Sequence, residues 1–421
     1  MEGSCGRVLV SRDTLNRDAV VRDFIEGRLS RREASAALGK SERQVSRMIK
    51  RWKKKGVLGL EHALVGRKSN HRLDEDLQGR VSTLLKGKYS GFNLKHFHEK
   101  LVESEKIVGV SYSAVKRIAQ SEGLSRTKKR RGTKIRKRRA RFSQAGYMLQ
   151  MDGSKHVWWQ EKECCLIAGI DDATSDVPYG EFFPTESLEG YIRVLRGVIE
   201  LRGVPRVLYV DRASWLGGLS SEETSQFERM CGELGTRVIH AQSAEAKGRV
   251  ERLWGTLQDR LVSEFRLEAI SSIEKGTAYL NTTFLPQTWA TKFTVQAESP
   301  GLLYHPRPEG KDLDQIFCLK LERKIRKDHT VLFGNEVYAI TAQLQHSLAR
   351  KRAEIRIYSD GQMRGYWGGL NLELRQERKR SWAKGEKPKF HPGLTTWQRV
   401  TLNRFLSTHR QLTKETFQLN P

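Results

Sequence analysis

The chain has 421 residues, too many for one ordinary hydrophobic core, so two to four domains are expected. Its 76 Lys and Arg outnumber 49 Asp and Glu, a formal net charge of +27 that draws nucleic acid first and an anionic membrane surface second. No apolar run approaches the ~18 residues needed to span a bilayer. The opening MEGSCGRVLVSRD has no long apolar stretch to direct export, so a cytoplasmic protein is expected.

Residues 1–70 read as a helix-turn-helix domain. RDAVVRDFIEGR suggests a first helix with Ala19, Val20, Phe24 and Ile25 inward. Ser30 and Glu33 form an S-x-x-E capping box before ASAALG, and Gly39 closes that second helix. Ser41 with Gln44 opens RQVSRMIKRWKKKG, whose Arg43, Arg47, Lys50 and Arg51 are placed as a recognition helix in a major groove would place them. The competing reading is a plain three-helix bundle with a solvated basic face, and the net charge favours DNA.

Residues 71–124 repeat the theme. DEDLQGRVSTLLKG, NLKHFHEKLVESE and VSYSAVKRIAQSEGL suggest three helices, with Val115, Ile118 and Ala119 inward and Lys116 and Arg117 outward, towards DNA. His96 and His98 form an H-x-H without the cysteine pair of a zinc finger. Cys5, Cys164, Cys165, Cys231 and Cys318 are scattered and odd in number, so they are expected reduced and buried. A basic linker spans 125–144, with Lys128, Lys129, Arg130, Arg131, Arg136, Lys137, Arg138 and Arg139 available to phosphate.

From Tyr147 the texture turns to strands. YMLQMDGSKHVWW, CCLIAGIDD and VPYGEFFP suggest three strands, and SLEGYIRVLRGVIELRG an amphipathic helix. PRVLYVDR is a strand ending in Asp211, SEETSQFERMCGELG a helix and TRVIHA a last strand. QSAEAKGRVERLWGTLQDRL then reads as a loop feeding a helix with Val250, Leu253, Trp254, Leu257 and Leu261 on one stripe. The order β-β-β-α-β-α-β-α describes a mixed sheet with flanking helices over 145–268, as in ribonuclease H-like domains.

Three carboxylates stand where chemistry could use them: Asp152 after the first strand's apolar stretch, Asp211 at the end of the fourth strand, and Glu251 on the last helix. Two Mg²⁺ ions about 3.5–4 Å apart need several hard oxygen ligands, more than one segment can supply. Glu251 shares a helix face with Lys247 and Gln258, and a lone surface salt bridge is its bland alternative. Asp171 and Asp172 are rival carboxylates, expected to order a turn or support the site, and Glu245 is expected to cap the helix or lie in solvent. Lys247 and Arg249 are expected at DNA near the scissile phosphate. Trp158 and Trp254 are expected in the core.

MDGSKHVWW, IDDATSD, LYVDR and AEAKGRVERLWGTLQDRL resemble the ISNCY-family insertion-sequence transposases, members of the DDE superfamily with a retroviral-integrase-type catalytic core. The resemblance covers most of the chain, and KGRVER-x3-TLQDRL is its most specific motif. It implies a catalytic and metal-binding triad of Asp152, Asp211 and Glu251, holding two Mg²⁺ ions for which Mn²⁺ may substitute. It further implies double-stranded DNA as partner, both transposon ends and target, and at least a dimer on that DNA. A prokaryotic, nucleoid-associated protein with no membrane partner fits. Trp215 and Trp254 depart from the family pattern, which has smaller or polar residues there. A DNA-binding regulator, or a domesticated transposase with an inactive core, is the alternative, and the intact triad disfavours it.

Residues 269–312 read as a helical linker. IFCLKLERKI, TVLFGNEVYAI and RAEIRIYSDGQMRGYWG suggest an SH3-like β-barrel over 313–372, with Lys320, Arg323, Lys324, Arg326 and Lys351 as a basic face and turns at F-G-N and S-D-G. The last stretch, 373–421, reads as a basic tail.

Overall fold

The structure, a computed structural model, describes residues 11–61, 73–124, 140–159, 162–211, 226–241, 248–308, 312–333, 336–342 and 345–377. The chain divides into two compact units, residues 1–80 and 81–421. Among the described residues no helix is long and apolar enough to cross a membrane.

The first unit holds α1 (Arg12–Ile25), α2 (Arg31–Leu38) and α3 (Glu42–Lys55). Both expected capping boxes form, Ser30 with Glu33 and Ser41 with Gln44, so each satisfies two backbone donors that a helix start otherwise leaves unpaired. Gly39 ends α2 in the left-handed region, at φ 56°. Val45, Met48 and Ile49 bury one face of α3 against Val21, Ala34 and Leu60. The inward line of α1 differs from the expected one: Thr14, Asp18 and Val21 are buried, whereas Ala19 and Ile25 are exposed. Asp18 is the reason, since it accepts a hydrogen bond from the Trp52 indole at 2.6 Å and pairs with Arg22 at 2.9 Å. A polar residue with its own partners in the core line hides the stripe from a hydropathy reading.

Helix α4 (Glu75–Lys86) leads into α5 (Leu94–Glu103) and α6 (Tyr112–Ser121). As expected, Val115, Ile118 and Ala119 are buried on α6 while Lys116 and Arg117 are exposed.

Next in the chain is a five-stranded sheet of order β3-β2-β1-β4-β5. It comprises β1 (Met148–Trp159), β2 (Lys162–Asp171), β3 (Gly180–Phe183), β4 (Val207–Val210) and β5 (Arg237–His240). The first three strands are antiparallel, and β4 joins β1, and β5 joins β4, in parallel. Helices α7 (Leu188–Arg202) and α8 (Gln226–Leu234) cover one face, and α9 (Gly248–Leu267) lies on the other. The expected order of three strands, then helix and strand in alternation, is the one present.

The edge of β3 is closed by the helical segment C-terminal to α9. Asn281 donates to the Gly180 carbonyl at 2.7 Å and accepts from its N–H at 3.2 Å, while Thr277 on α10 (Ile273–Tyr279) accepts from Phe182 N–H. A side-chain amide thus replaces the missing strand and blunts an edge that could otherwise pair with another chain.

The C-terminal strands fall into two sheets. They form a four-stranded sheet, β11-β10-β9-β6, and a three-stranded one, β12-β8-β7, with a bridge from Ile325 to Val331 joining the two between β6 and β7. The strands are β6 (Leu319–Lys324), β7 (Thr330–Phe333), β8 (Glu336–Ile340), β9 (Arg352–Ile357), β10 (Met363–Trp367), β11 (Leu370–Leu372) and β12 (Leu374–Gln376). Leu319, Leu321, Ile355 and Ile357 of one sheet and Val331 and Phe333 of the other belong to one continuous core with α7 and α8. Gln226 on α8 clamps the backbone of Lys320 through both ends of its amide, at 2.9 and 3.0 Å. The expected basic face is partly consumed by this docking, since Lys320 Nζ is paired with Glu233 at 2.8 Å and the Arg323 guanidinium lies over the Phe333 ring.

Candidate active site

Strand register brings two of the carboxylates together. Met148, Leu149 and Gln150 of β1 pair in parallel with Val207, Leu208 and Tyr209 of β4. Two residues further along each strand stand Asp152 and Asp211, so the two aspartates are lateral neighbours. Strand β4 stops at Val210, whereas β1 runs on to Trp159. Asp152 therefore sits mid-strand rather than at the expected strand end, level with the point at which its parallel neighbour stops. His240 Nδ1 donates to the Asp211 carbonyl at 3.2 Å and its Nε2 faces Glu228 at 2.9 Å, tying the chain end of β4 to β5 and α8.

Helix α9 brings the third carboxylate to the same end of β1. Its apolar stripe, Val250, Leu253, Leu257, Leu261 and Phe265, is buried on the sheet as the spacing predicts. Trp254, the residue that departs from the family pattern, is buried with them, and its indole N–H donates to Asp152 Oδ2 at 3.1 Å. One turn on, Gln258 donates to Ser154 at 2.9 Å. Glu251 precedes Trp254 by three residues, on the adjoining turn, and is exposed. Trp158 is fully buried in the same core.

A fourth carboxylate, absent from the sequence reading, belongs to this neighbourhood. A Cβ at Gly153 would stand 3.0 Å from the Glu186 carboxyl, so the missing side chain is what lets Glu186 lie against β1. Burial pushes the Glu186 pKa up, a hydrogen bond from Tyr191 at 2.9 Å opposes it, and the charges of Asp211 and Asp152 raise it further. Tyr191, nearly wholly buried, is driven well above its usual range by burial and then by Glu186, Asp152 and Asp211. Negative charge is thus concentrated here in a chain that is otherwise strongly basic. No local signal marks Glu186, because a carboxylate before a helix is ordinarily just a favourable dipole partner.

The donor chemistry suits a hard divalent cation: aspartates on adjacent strands and a glutamate on the helix above them. With the side chains as set, no three His, Cys, Asp or Glu groups among the described residues converge closely enough to hold a metal ion. The rival carboxylates have other work. Asp171 Oδ1 accepts from the N–H groups of Ala173 and Thr174 at 3.0 and 2.9 Å and Oδ2 from Gly146 at 2.7 Å, ordering the turn after β2. Asp172 pairs with Arg249 at 2.6 Å. That contact places the Arg249 guanidinium in a protein-internal ion pair. Arg43, Arg47, Lys50 and Arg51 are all exposed on α3. Lys128, Lys129, Arg130, Arg131, Arg136, Lys137, Arg138, Arg139, Trp215, Glu245 and Lys247 lie outside the described residues. Cys164, Cys165, Cys231 and Cys318 are free thiols and buried, as expected.

A family profile described as a homeodomain-like domain matches residues 13–61, which span α1–α3. Over most of its length the chain is similar to insertion-sequence transposases. It is 29% identical over 379 residues to y4bF of Sinorhizobium fredii (strain NBRC 101917 / NGR234), a protein predicted to be a transposase, covering 88% of this chain and 82% of that one. It is 27% identical over 368 residues to the transposase for insertion sequence IS1202 of Streptococcus pneumoniae, covering 77% of each. Among solved structures the catalytic core domain of BIV integrase matches 33% of this chain and 85% of its own, at 19% identity and a TM-score of 0.26, too low to carry argument.

Proposed function

We propose that this relative of insertion-sequence transposases is a DDE-type DNA transposase with a ribonuclease H-like core, which binds terminal inverted repeats, cleaves their 3′ ends and joins them to target DNA. The observation that carries the reading is the parallel register that sets Asp152 beside Asp211, with Trp254 holding Asp152 beneath the helix that bears Glu251. Asp152, Asp211 and Glu251 would hold two Mg²⁺ ions, which when bound activate water or a 3′-OH and neutralise charge on the scissile phosphate.

The chain's own residues do the positioning. Trp254 fixes the rotamer of Asp152, and His240 fixes the backbone at Asp211. Exposed Arg43, Arg47, Lys50 and Arg51 on α3 are arranged to meet phosphate and base edges of a transposon end. The basic segment at 128–139 would follow the DNA backbone, and its contribution should weaken steeply with salt. Two ends are joined in concert, so the working form is at least a dimer assembled on DNA.

The test is metal-dependent cleavage of DNA carrying the element's own ends. Glu251→Gln is expected to lower cleavage about 100-fold or more while end binding and thermal unfolding stay as in the wild type. Equal cleavage by the two proteins would refute the assignment, and inactivity of both would favour a regulator with a silent core.

A further inference from the structure

We propose that Arg249 is a positioning residue for Glu251, seated by the buried carboxylate of Asp172; the inference rests on the catalytic role given to Glu251 above. Arg249 lies on the first turn of α9, two residues before Glu251. Its Nη1 stands 2.6 Å from Asp172 Oδ1, with Asp172 0% and Arg249 11% exposed at their side chains. Gln150 Nε2 donates to the same oxygen at 2.7 Å, and Phe142 N–H to the other at 3.0 Å. One carboxylate thereby joins α9, β1 and the end of the basic linker. Arg141 adds to the same turn, donating to the carbonyls of Asp172 and Ala173 at 3.0 and 3.1 Å.

A helix held to a sheet by apolar contacts alone can rotate or slide slightly at little cost, because dispersion and burial are not directional. Glu251 needs more than that, since a ligand displaced by about 1 Å can lose much of its catalytic effect. The α9 side chains at 249, 254 and 258 reach Asp172, Asp152 and Ser154, anchors in the turn after β2 and on β1. Glu251 lies between the first two anchors. The first is the charged one, and it holds the turn from which Glu251 projects. A buried ion pair is poor at adding stability, because desolvation offsets the attraction, but it is directional and costly to misplace. That balance suits a device for geometry better than one for holding the fold.

The experiment uses the full chain and titrates Mg²⁺ in the end-cleavage assay, with end binding and thermal unfolding measured in parallel. Arg249→Met is expected to raise the Mg²⁺ concentration for half-maximal cleavage about tenfold and to lower the maximal rate, leaving end affinity unchanged. Arg249→Lys, which can still reach Asp172 as a point charge, should recover most of the loss. Wild-type metal dependence in Arg249→Met would overturn the proposal, as would a loss confined to end affinity, which would return Arg249 to DNA. If Arg249→Met does not fold, Asp172→Asn with Arg249→Gln, in which an amide pair of shorter reach replaces the ion pair, carries the same expectation and the same refutation. Glu251→Gln run alongside separates the two readings. If it cleaves normally both fall; if it is inactive while Arg249→Met is normal, only the positioning role falls.

Discussion

The helices α1–α3 and α4–α6 each bury an apolar core, but α4–α6 also meet α9 through α5. In the first, Asp18 and Trp52 pair inside the three-helix unit, and the exposed face of α3 is left to Arg43, Arg47, Lys50 and Arg51. In the second, α5 meets α9 through a buried polar seam. His96 Nε2 lies 2.7 Å and Lys100 Nζ 2.8 Å from the Glu264 carboxylate, while Arg260 and Lys292 converge on Glu99 at 2.7 and 3.0 Å. The Arg260 guanidinium also stacks 4.9 Å from the Phe293 ring centre and that of Arg266 5.6 Å from Phe92. Similar local signals thus produce one three-helix segment whose polar pair stays inside it and another that shares a polar seam with the helix bearing Glu251. What separates them is where the buried polar partner lies: Asp18 meets Trp52 inside the first segment, whereas His96 and Lys100 of the second meet Glu264 on α9.

The largest effect should come from the seam itself. Glu264→Leu removes the acceptor shared by His96, Lys100 and Tyr279 and leaves buried donors without it, so a loss of about 3–5 kcal/mol is expected. Thermal or denaturant unfolding should report that loss while DNA binding by the separate first unit persists; an unchanged midpoint would mean the seam is decorative. A smaller effect is expected on the other side of the comparison. Arg47→Ala should weaken binding to a transposon end by about 1–3 kcal/mol without altering the unfolding midpoint, and unchanged affinity in a binding titration would remove α3 from the DNA interface.

Acid should act most gently. Burial raises the Glu99 pKa, but hydrogen bonds from Arg260 and Lys292 prevail and bring its carboxyl from 4.5 down to about 2. Glu264 is likewise lowered, because His96 and Lys100 outweigh burial. A carboxylate depressed in the folded state contributes stability that is whole above its unfolded pKa and fades as pH falls through the folded one. The seam should therefore loosen progressively from about pH 4.5 towards pH 2, detectable as faster amide exchange in α5. Protection there that is flat across the window would contradict this account.

Much of the core was legible because its signals are local and redundant. Alternating apolar residues mark the strands, a stripe at helical spacing marks α9, and Ser30–Glu33 and Ser41–Gln44 state where helices begin. The turn at 359–361 is similarly direct, with Gly361 at φ 82° between β9 and β10. Of the candidate site, the sequence offered residue types at plausible places, Asp152, Asp211 and Glu251, and the expectation that Asp171 orders a turn, which its hydrogen bonds bear out. The site's supports were not legible. The Arg249 ion pair carried no local mark, because a basic residue in a chain of charge +27 shows nothing along the sequence of a buried partner 77 positions away. Trp254 read as core and is core, but its indole N–H also reaches Asp152.

Sequence alone determined the elements, their order, the helix starts and the basic character that points to nucleic acid, because capping, periodicity and charge are properties of neighbours along the chain. Only the tertiary structure decided that the C-terminal strands share one core with α7 and α8, and that α5 is bound to α9. It also decided that Asp172 faces Arg249, and that Glu186 rests against Gly153. The physical reason is that burial joins groups far apart in the chain: apolar side chains of the C-terminal strands merge with the core under α7 and α8, and a buried polar group takes whichever distant partner the fold brings to it.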